Sequence, residues 1–253
     1  PGRVTLLRNA APRGPGAARN QALAAVETEH LLFLDADDLP ARELAPLLAD
    51  LEGQAFDFCL FQHHDSRAAT ERRWGQMPWD QALWRAAGVE TGALSPVSTP
   101  AAAQLVQTAN YPWNKIYRTG FLRDHGIGCS EIAQHEDVEL HWRSFLRARS
   151  ILASDRVCAV HFVAPGGGRL TNHTGPARLE VFAPLARLAA EIARAGFPVF
   201  RFDWAPCLLP SAPTFRSSMR SRPIHYPRGC ACRLLTTCSS TSATLMPSIS
   251  GRR

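Results

Sequence analysis

Three carboxylates fall within four residues at Asp35-Ala36-Asp37-Asp38, directly after the apolar run Leu31-Leu32-Phe33-Leu34. Carboxylates this close repel one another unless a cation or a hydrogen-bond donor neutralises them. Mg2+ or Mn2+ held by one or two carboxylates fills its remaining positions from substrate phosphates. The alternative is structural, with Asp38 capping the next helix and its neighbours solvated. A second acidic pair, Glu136-Asp137, precedes a helical pattern and by itself would complement the positive helix end. Lys115 is the sole lysine of an Arg-rich chain and lies two residues after Trp113. An aromatic ring beside a sheet is most often part of the core.

These groups need a scaffold, and the hydrophobic pattern supplies one. Val4–Leu7 reads as a strand, Arg13–Gly16 as a turn, and Ala17–Val26 as a helix entered through Pro15 and Gly16. The continuous run Leu31–Leu34 fits a strand buried on both faces of a parallel sheet, with ligands expected at its C-terminal end. Pro40 suits the first turn of a helix reaching Leu51, and Phe56–Phe61 is the next strand. The stretch from Arg67 to Pro100, with Trp74, Trp79 and Trp84, loses periodicity and reads as a loop-rich insertion. Beyond it come a helix from about Glu136 to Ala148, a strand at Val157–Phe162 and an amphipathic helix at Arg178–Ala195. Alternating strands and helices predict a doubly wound α/β domain over residues 1–205.

The formal charge of +6 belongs to the end of the chain. Residues 1–205 carry 21 basic and 22 acidic side chains, whereas residues 206–253 hold seven Arg and no acid. The main domain is thus near neutral, which argues against a nucleic-acid partner. The segment 206–253 also holds 14 Ser or Thr and four of the seven cysteines, without periodicity. It reads as a low-order tail, or as the product of a shifted reading frame near residue 205. His225, Cys230, Cys232 and Cys238 lack the CxxC pair of a compact zinc module. The odd number of cysteines excludes a fully paired disulfide framework and favours a reducing compartment. The absence of a long apolar run predicts no membrane span, and no secretory leader is visible.

Gly14-Pro15-Gly16-Ala17-Ala18-Arg19-Asn20, a helix, and then Phe33-Leu34-Asp35-Ala36-Asp37-Asp38 resembles the family-2 glycosyltransferases of the GT-A fold. Trp113-Asn114-Lys115-Ile116-Tyr117, Gly126-Ile127, Glu131 and His135-Glu136-Asp137-Val138 resemble the downstream half of the same family. The resemblance implies that Asp35 and Asp37 form an Asp-x-Asp motif holding Mg2+ or Mn2+ on a nucleotide diphosphate. Asp37 would be the direct ligand, with Asp38 beside it and Arg19 facing the donor. It further implies that Asp137, with Glu136, is the general base of an inverting transfer, and that Trp113 and Lys115 lie on the acceptor side. His161 would be a third metal ligand or a structural imidazole, and His173 would lie in a loop over the donor.

The expected partners are a nucleotide-sugar donor and a saccharide or polyol-phosphate polymer acceptor. The expected place is the cytoplasm, at the inner face of a membrane, in cell-surface polysaccharide or teichoic-acid-type synthesis. Family members carry further strands before the one matched by Val4–Asn9, so the resemblance implies an incomplete nucleotide site here. A non-catalytic remnant is therefore one rival reading. An Asp-x-Asp phosphatase is another, but it needs Thr or Val where this chain has Leu39. The composition of residues 206–253 carries its own prediction: limited proteolysis should remove them without loosening the remainder, and protection of that segment would count against a low-order tail.

Overall fold

The computed structural model describes residues 4–70, 73–89, 91–163 and 175–195. The tail and the loop containing His173 lie outside these residues. The described elements are α1 (Gly14–Ala25), β1 (His30–Leu32), β2 (Leu39–Pro40), α2 (Leu44–Leu51), β3 (Phe58–Thr70), β4 (Arg73–Gly75), α3 (Pro78–Ala87), β5 (Leu94–Pro96), α4 (Thr99–Leu105), β6 (Lys115–Arg118), α5 (Thr119–Asp124), α6 (Val138–Arg147), β7 (Ile151–His161) and α7 (Phe182–Ala195). Two short 3-10 turns, Pro112–Asn114 and Pro176–Val181, lead into β6 and α7.

The sheet is organised around β3. Phe58, Cys59, Leu60 and Phe61 at its start are all sealed from solvent. Because side chains alternate along a strand, Phe58 and Leu60 enter one apolar cluster while Cys59 and Phe61 enter another on the opposite face. The first cluster includes residues of α1, α4, α5, α6 and α7; the second includes Leu47 and Leu51 of α2 and Trp113. Both faces are therefore covered, as the apolar run at the start of β3 requires.

Strand order is β1-β6-β3-β7-β2, with β4 on β3 and β5 on β7. The β3–β7 ladder is parallel, and the other described pairings are antiparallel. Since β6 runs against both β1 and β3, the strands β1, β3 and β7 point the same way. The expected α/β architecture is present, but β6 is inserted against the direction of β1, β3 and β7, and the short strands β2, β4 and β5 also run against that direction. At the base of the sheet, Asp57 accepts hydrogen bonds from Arg118 at 2.8 Å and from the Arg149 and Ser150 amides at 2.7 and 3.1 Å. One carboxylate thereby aligns the ends of three strands.

Several local expectations change. Val4–Leu7 forms no ladder among the described residues, and Val4 is 91% exposed. Without a neighbour to pair its backbone, a lone extended segment gains nothing from strand geometry. β1 stops after three residues at the sheet edge, and Leu34 is exposed. Pro40 lies in β2, opposite Ala159 of β7, rather than in a helix; proline is tolerated at a sheet edge. The insertion from Arg67 to Pro100 holds β4, α3, β5 and the start of α4, and Trp84 is buried in the core. Pro78 in its first turn and the left-handed Gly88 at its end delimit α3.

Helix α1 carries the Gly-rich turn onto the segment that precedes α6. A methyl group at Gly16 would lie 2.1 Å from the Ser130 carbonyl oxygen and 3.1 Å from the Glu136 Cβ. One turn later, the Asn20 amide donates to the Cys129 carbonyl and its oxygen accepts from the Cys129 amide, both at 2.9 Å. Asn20 thus pairs with the backbone as a neighbouring strand would. Gly16→Ala should lower stability by about 1–3 kcal/mol, because the clash is with backbone. The denaturation midpoint will show this, and a midpoint equal to wild type would mean that α1 docks with slack.

Candidate active site

The Asp-rich loop is a turn between two edge strands. The Asp38 amide donates to the Asp35 carbonyl at 3.1 Å, and Leu39 then pairs with Val160 of β7. This pairing buries Asp38 and leaves Asp37 exposed. Asp38 caps no helix, since α2 begins later behind Glu43. Its Oδ1 lies 2.7 Å from His161 Nδ1 and accepts from the Phe162 amide at 3.2 Å. Its Oδ2 is buried and unpartnered.

The second acidic pair sits on the loop leading into α6. The Ser130 amide donates to the Glu136 carbonyl at 2.8 Å, and the chain turns through His135 in a left-handed conformation, φ 62°. That conformation is uncommon for a residue with a side chain and is held by its surroundings. Asp137 occupies the cap position of α6, yet its side chain caps no amide of the helix. The helix end alone therefore does not account for this carboxylate. Desolvation, reinforced by the neighbouring charge of Glu136, pushes the Asp137 carboxyl up to about 7, against Arg19 and Lys115. The residue keeps partial exposure while its carboxyl is shut in.

Arg19 joins the two loops. Its Nη2 donates to Asp35 Oδ1 and its Nη1 to Glu136 Oε1, each at 2.6 Å, and its side chain is only 13% exposed. Burial alone would disfavour its charge, but the two carboxylates outweigh this and hold the guanidinium protonated. Arg19, expected to face the donor, instead spends its donors on the protein's own acids.

Trp113 and Lys115 are buried and present no surface to an acceptor in this structure. Lys115 Nζ donates to the Tyr111 carbonyl at 2.9 Å and to Asn114 Oδ1 at 2.6 Å. Burial pushes its amine down to about 7, against the pull of Asp137 and Asp80. The Trp113 ring stacks on Tyr111 at 4.5 Å and on His161 at 5.3 Å, forming an aromatic wall behind Asp38.

Sequence reasoning missed four members of this layer. Asp65 takes Arg67 in a bidentate pair and Arg67 reaches the Tyr111 hydroxyl at 3.2 Å. Burial pushes the Asp80 carboxyl up to about 6. His63 is edge-on to Trp113 at 5.0 Å, and burial pushes it down to about 3, so it stays neutral. The one available signal was an unusual density of charged and aromatic residues in and after an otherwise apolar strand. His173 lies outside the described residues.

Among the described residues, no group of three or more His, Cys, Asp or Glu side chains is placed to hold a metal ion. By themselves Asp37 and Asp35 would give at most an incomplete open site, one that needs the oxygens of a bound diphosphate to complete a cation's shell. Asp35 would share its oxygens between that cation and Arg19. The Asp38 carboxylate on His161 Nδ1 fixes the orientation of that imidazole. Two hollows of the described surface, one bordered by Asn20, Gly128 and Arg143 and one by Arg143, Arg187 and Glu191, include neither Asp37 nor Asp137.

Residues 1–108 match the model of Glycosyl transferase family 2, so the family resemblance carried by the first motifs is borne out over this part of the chain. Solved structures of S. aureus TarS share the fold. The structure of residues 1–349 with UDP-GlcNAc aligns at 24% identity and TM-score 0.58, covering 74% of this chain and 49% of that one. The same fragment with UDP gives 24% identity and TM-score 0.52, covering 74% and 47%. TarS itself gives 22% identity and TM-score 0.55, covering 83% and 32%. The chain thus spans about half or less of the structures it resembles. No curated protein sequence matches it.

The state of Asp137 has a measurable consequence. Its folded value of about 7 exceeds the ordinary 3.8, so the folded state holds the proton more tightly than the unfolded chain does. Its contribution is favourable at low pH and is lost as pH rises from about 4 to about 7. Asp137→Asn lacks this slope and should gain on the order of 1–3 kcal/mol relative to wild type across that window. Urea midpoints at pH 4.5 and 7.5 test it; midpoints that move in parallel would show an ordinary, solvated carboxylate.

Proposed function

We propose that this chain carries the metal-binding and general-base portion of an inverting glycosyltransferase, moving a sugar from a nucleotide-sugar donor to an acceptor hydroxyl. The observation that carries the reading is the meeting of two distant acidic motifs through Arg19, with a shielded carboxyl beside them. An Asp-rich loop at the end of a strand, facing a carboxylate that ionises near neutral pH, is the equipment of a proton-coupled displacement at a phosphate-linked sugar.

In this reading, ionised Asp137 accepts the proton of the acceptor hydroxyl as its oxygen bonds to the anomeric carbon. The bond from that carbon to the diphosphate breaks with inversion, and the nucleoside diphosphate departs with the electron pair. A carboxyl that ionises near 7 is matched to this task, being a stronger base than an ordinary Asp and still ionised in part at neutral pH. Asp37 and Asp35 would hold Mg2+ or Mn2+, whose charge would offset that of the departing diphosphate, with phosphate oxygens rather than a third side chain completing the shell. Asp38 orients His161. Trp113 and Lys115 support the wall behind the site rather than touching the acceptor.

The resemblance to TarS structures holding UDP-GlcNAc and UDP makes uridine nucleotides the first donors to test. We place the reaction in cell-surface polymer synthesis at the cytoplasmic face of a membrane, with a saccharide or polyol-phosphate polymer as acceptor. No helix of the described residues is long and apolar enough to cross a membrane.

The test combines binding and turnover of the 253-residue chain with UDP-sugars and Mn2+. Asp137→Asn should lower transfer by at least about a hundredfold while UDP still binds. Asp37→Ala should weaken the Mn2+-dependent part of UDP binding. Retained turnover in the first variant would assign the base elsewhere; UDP binding without turnover in wild type would favour the non-catalytic reading.

A further inference from the structure

We propose that Arg19 is a positioning residue that straps the Asp-rich loop to the acidic loop and holds Asp137 in its working state, rather than a group that binds the donor. The inference rests on the reading of Asp137 as the base and concerns how that base is kept in place.

The geometry is that of a two-headed clamp. Each terminal nitrogen of the guanidinium takes a different carboxylate at 2.6 Å, one on each loop. These contacts commit both forks of the side chain. The neighbouring residue fastens the same junction by other means, with Asn20 closing two hydrogen bonds onto Cys129. Gly16 allows the approach by leaving no side chain against Ser130. Three positions of one helix, at 16, 19 and 20, thus face the loop that ends in Asp137. No other described cation pairs with both loops.

The charge around Asp137 follows from this clamp. Glu136 adjoins it in sequence and, unpaired, would repel its ionised form. Arg19 faces it across the junction from α1, and Lys115 faces it from β6. Cys129 and Tyr117, also turned toward it, are kept neutral by burial. Arg19 therefore does two things: it neutralises the negative neighbour and adds a positive charge of its own. Both favour ionised Asp137 against the desolvation that opposes it. A carboxylate left with Glu136 alone would hold its proton to higher pH and be unavailable as a base.

The experiment follows the Asp137 carboxyl carbon by NMR in full-length chain labelled at aspartate Cγ, with the resonance assigned by Asp137→Asn. Arg19→Gln should raise the titration midpoint by about one pH unit, and Glu136→Gln, a near-isosteric change, should lower it by a similar amount. The direction discriminates between roles. If Arg19 served only as packing, its loss would admit water and shift the midpoint down toward an ordinary carboxylate; if it only bound donor, the midpoint in the unliganded protein would not move. Either result would overturn the proposal. Should Arg19→Gln fail to fold, Glu136→Gln decides alone, and an unchanged midpoint in that variant counts against it. The measurement needs no donor, so absence of turnover in wild type would sink the base assignment without deciding this one.

Discussion

The site depends on one partly buried ion triad. Arg19 holds Asp35 and Glu136 together, and those residues belong to loops that the chain separates by a hundred positions. Removing one partner of such a network leaves a poorly compensated charge, at a cost below the roughly 3–5 kcal/mol of a fully buried pair because water still reaches Asp35, 34% exposed. The interaction is thus worth less as net stability than as register. It fixes which face of the Asp-rich turn meets the acidic loop, and it makes any displacement of either loop expensive. Helix α1 can deliver Arg19 there because Gly16 removes the steric barrier and Asn20 replaces missing backbone pairing.

Beneath this clamp lies a second polar layer with a different logic. Lys115, Asp80, His63 and the Asp65–Arg67 pair are packed among Tyr111, Trp113 and His161. Each group would be costly to bury by itself, and the low dielectric shifts several of them toward neutrality. The layer stiffens the wall behind Asp38 and His161, so the imidazole is held from both its ring face and its Nδ1. An aromatic and a lysine that resemble acceptor-side groups in sequence thereby act as supports.

Much of the fold was legible because burial writes a period into the sequence. Phe56–Phe61 was legible as a strand and the amphipathic stretch ending at Ala195 as a helix. Leu31–Leu34, by contrast, reads as a strand buried on both faces but lies at the sheet edge with Leu34 exposed. The stretch from Arg67 to Pro100 was misread because its elements are short, and their stability comes from packing, as with Trp84, rather than from sustained periodicity. Val4–Leu7 and Pro40 were misassigned for a related reason: local pattern does not reveal which strand, if any, a segment will pair with.

The sequence by itself determined the chemical inventory: three carboxylates after an apolar strand, an acidic pair before a helix, and an Arg-Asn pair after a glycine turn. Those facts depend on residue type and short spacing, which one-dimensional order preserves. Tertiary structure alone decided the roles. It assigned Arg19 to two acids, Asp38 to His161 and Lys115 to the interior, because the Arg19–Glu136 and Asp38–His161 contacts span 117 and 123 positions and the place of Lys115 is a matter of burial. Long-range pairing and the dielectric around a group are properties of the packed chain, and no local pattern encodes them.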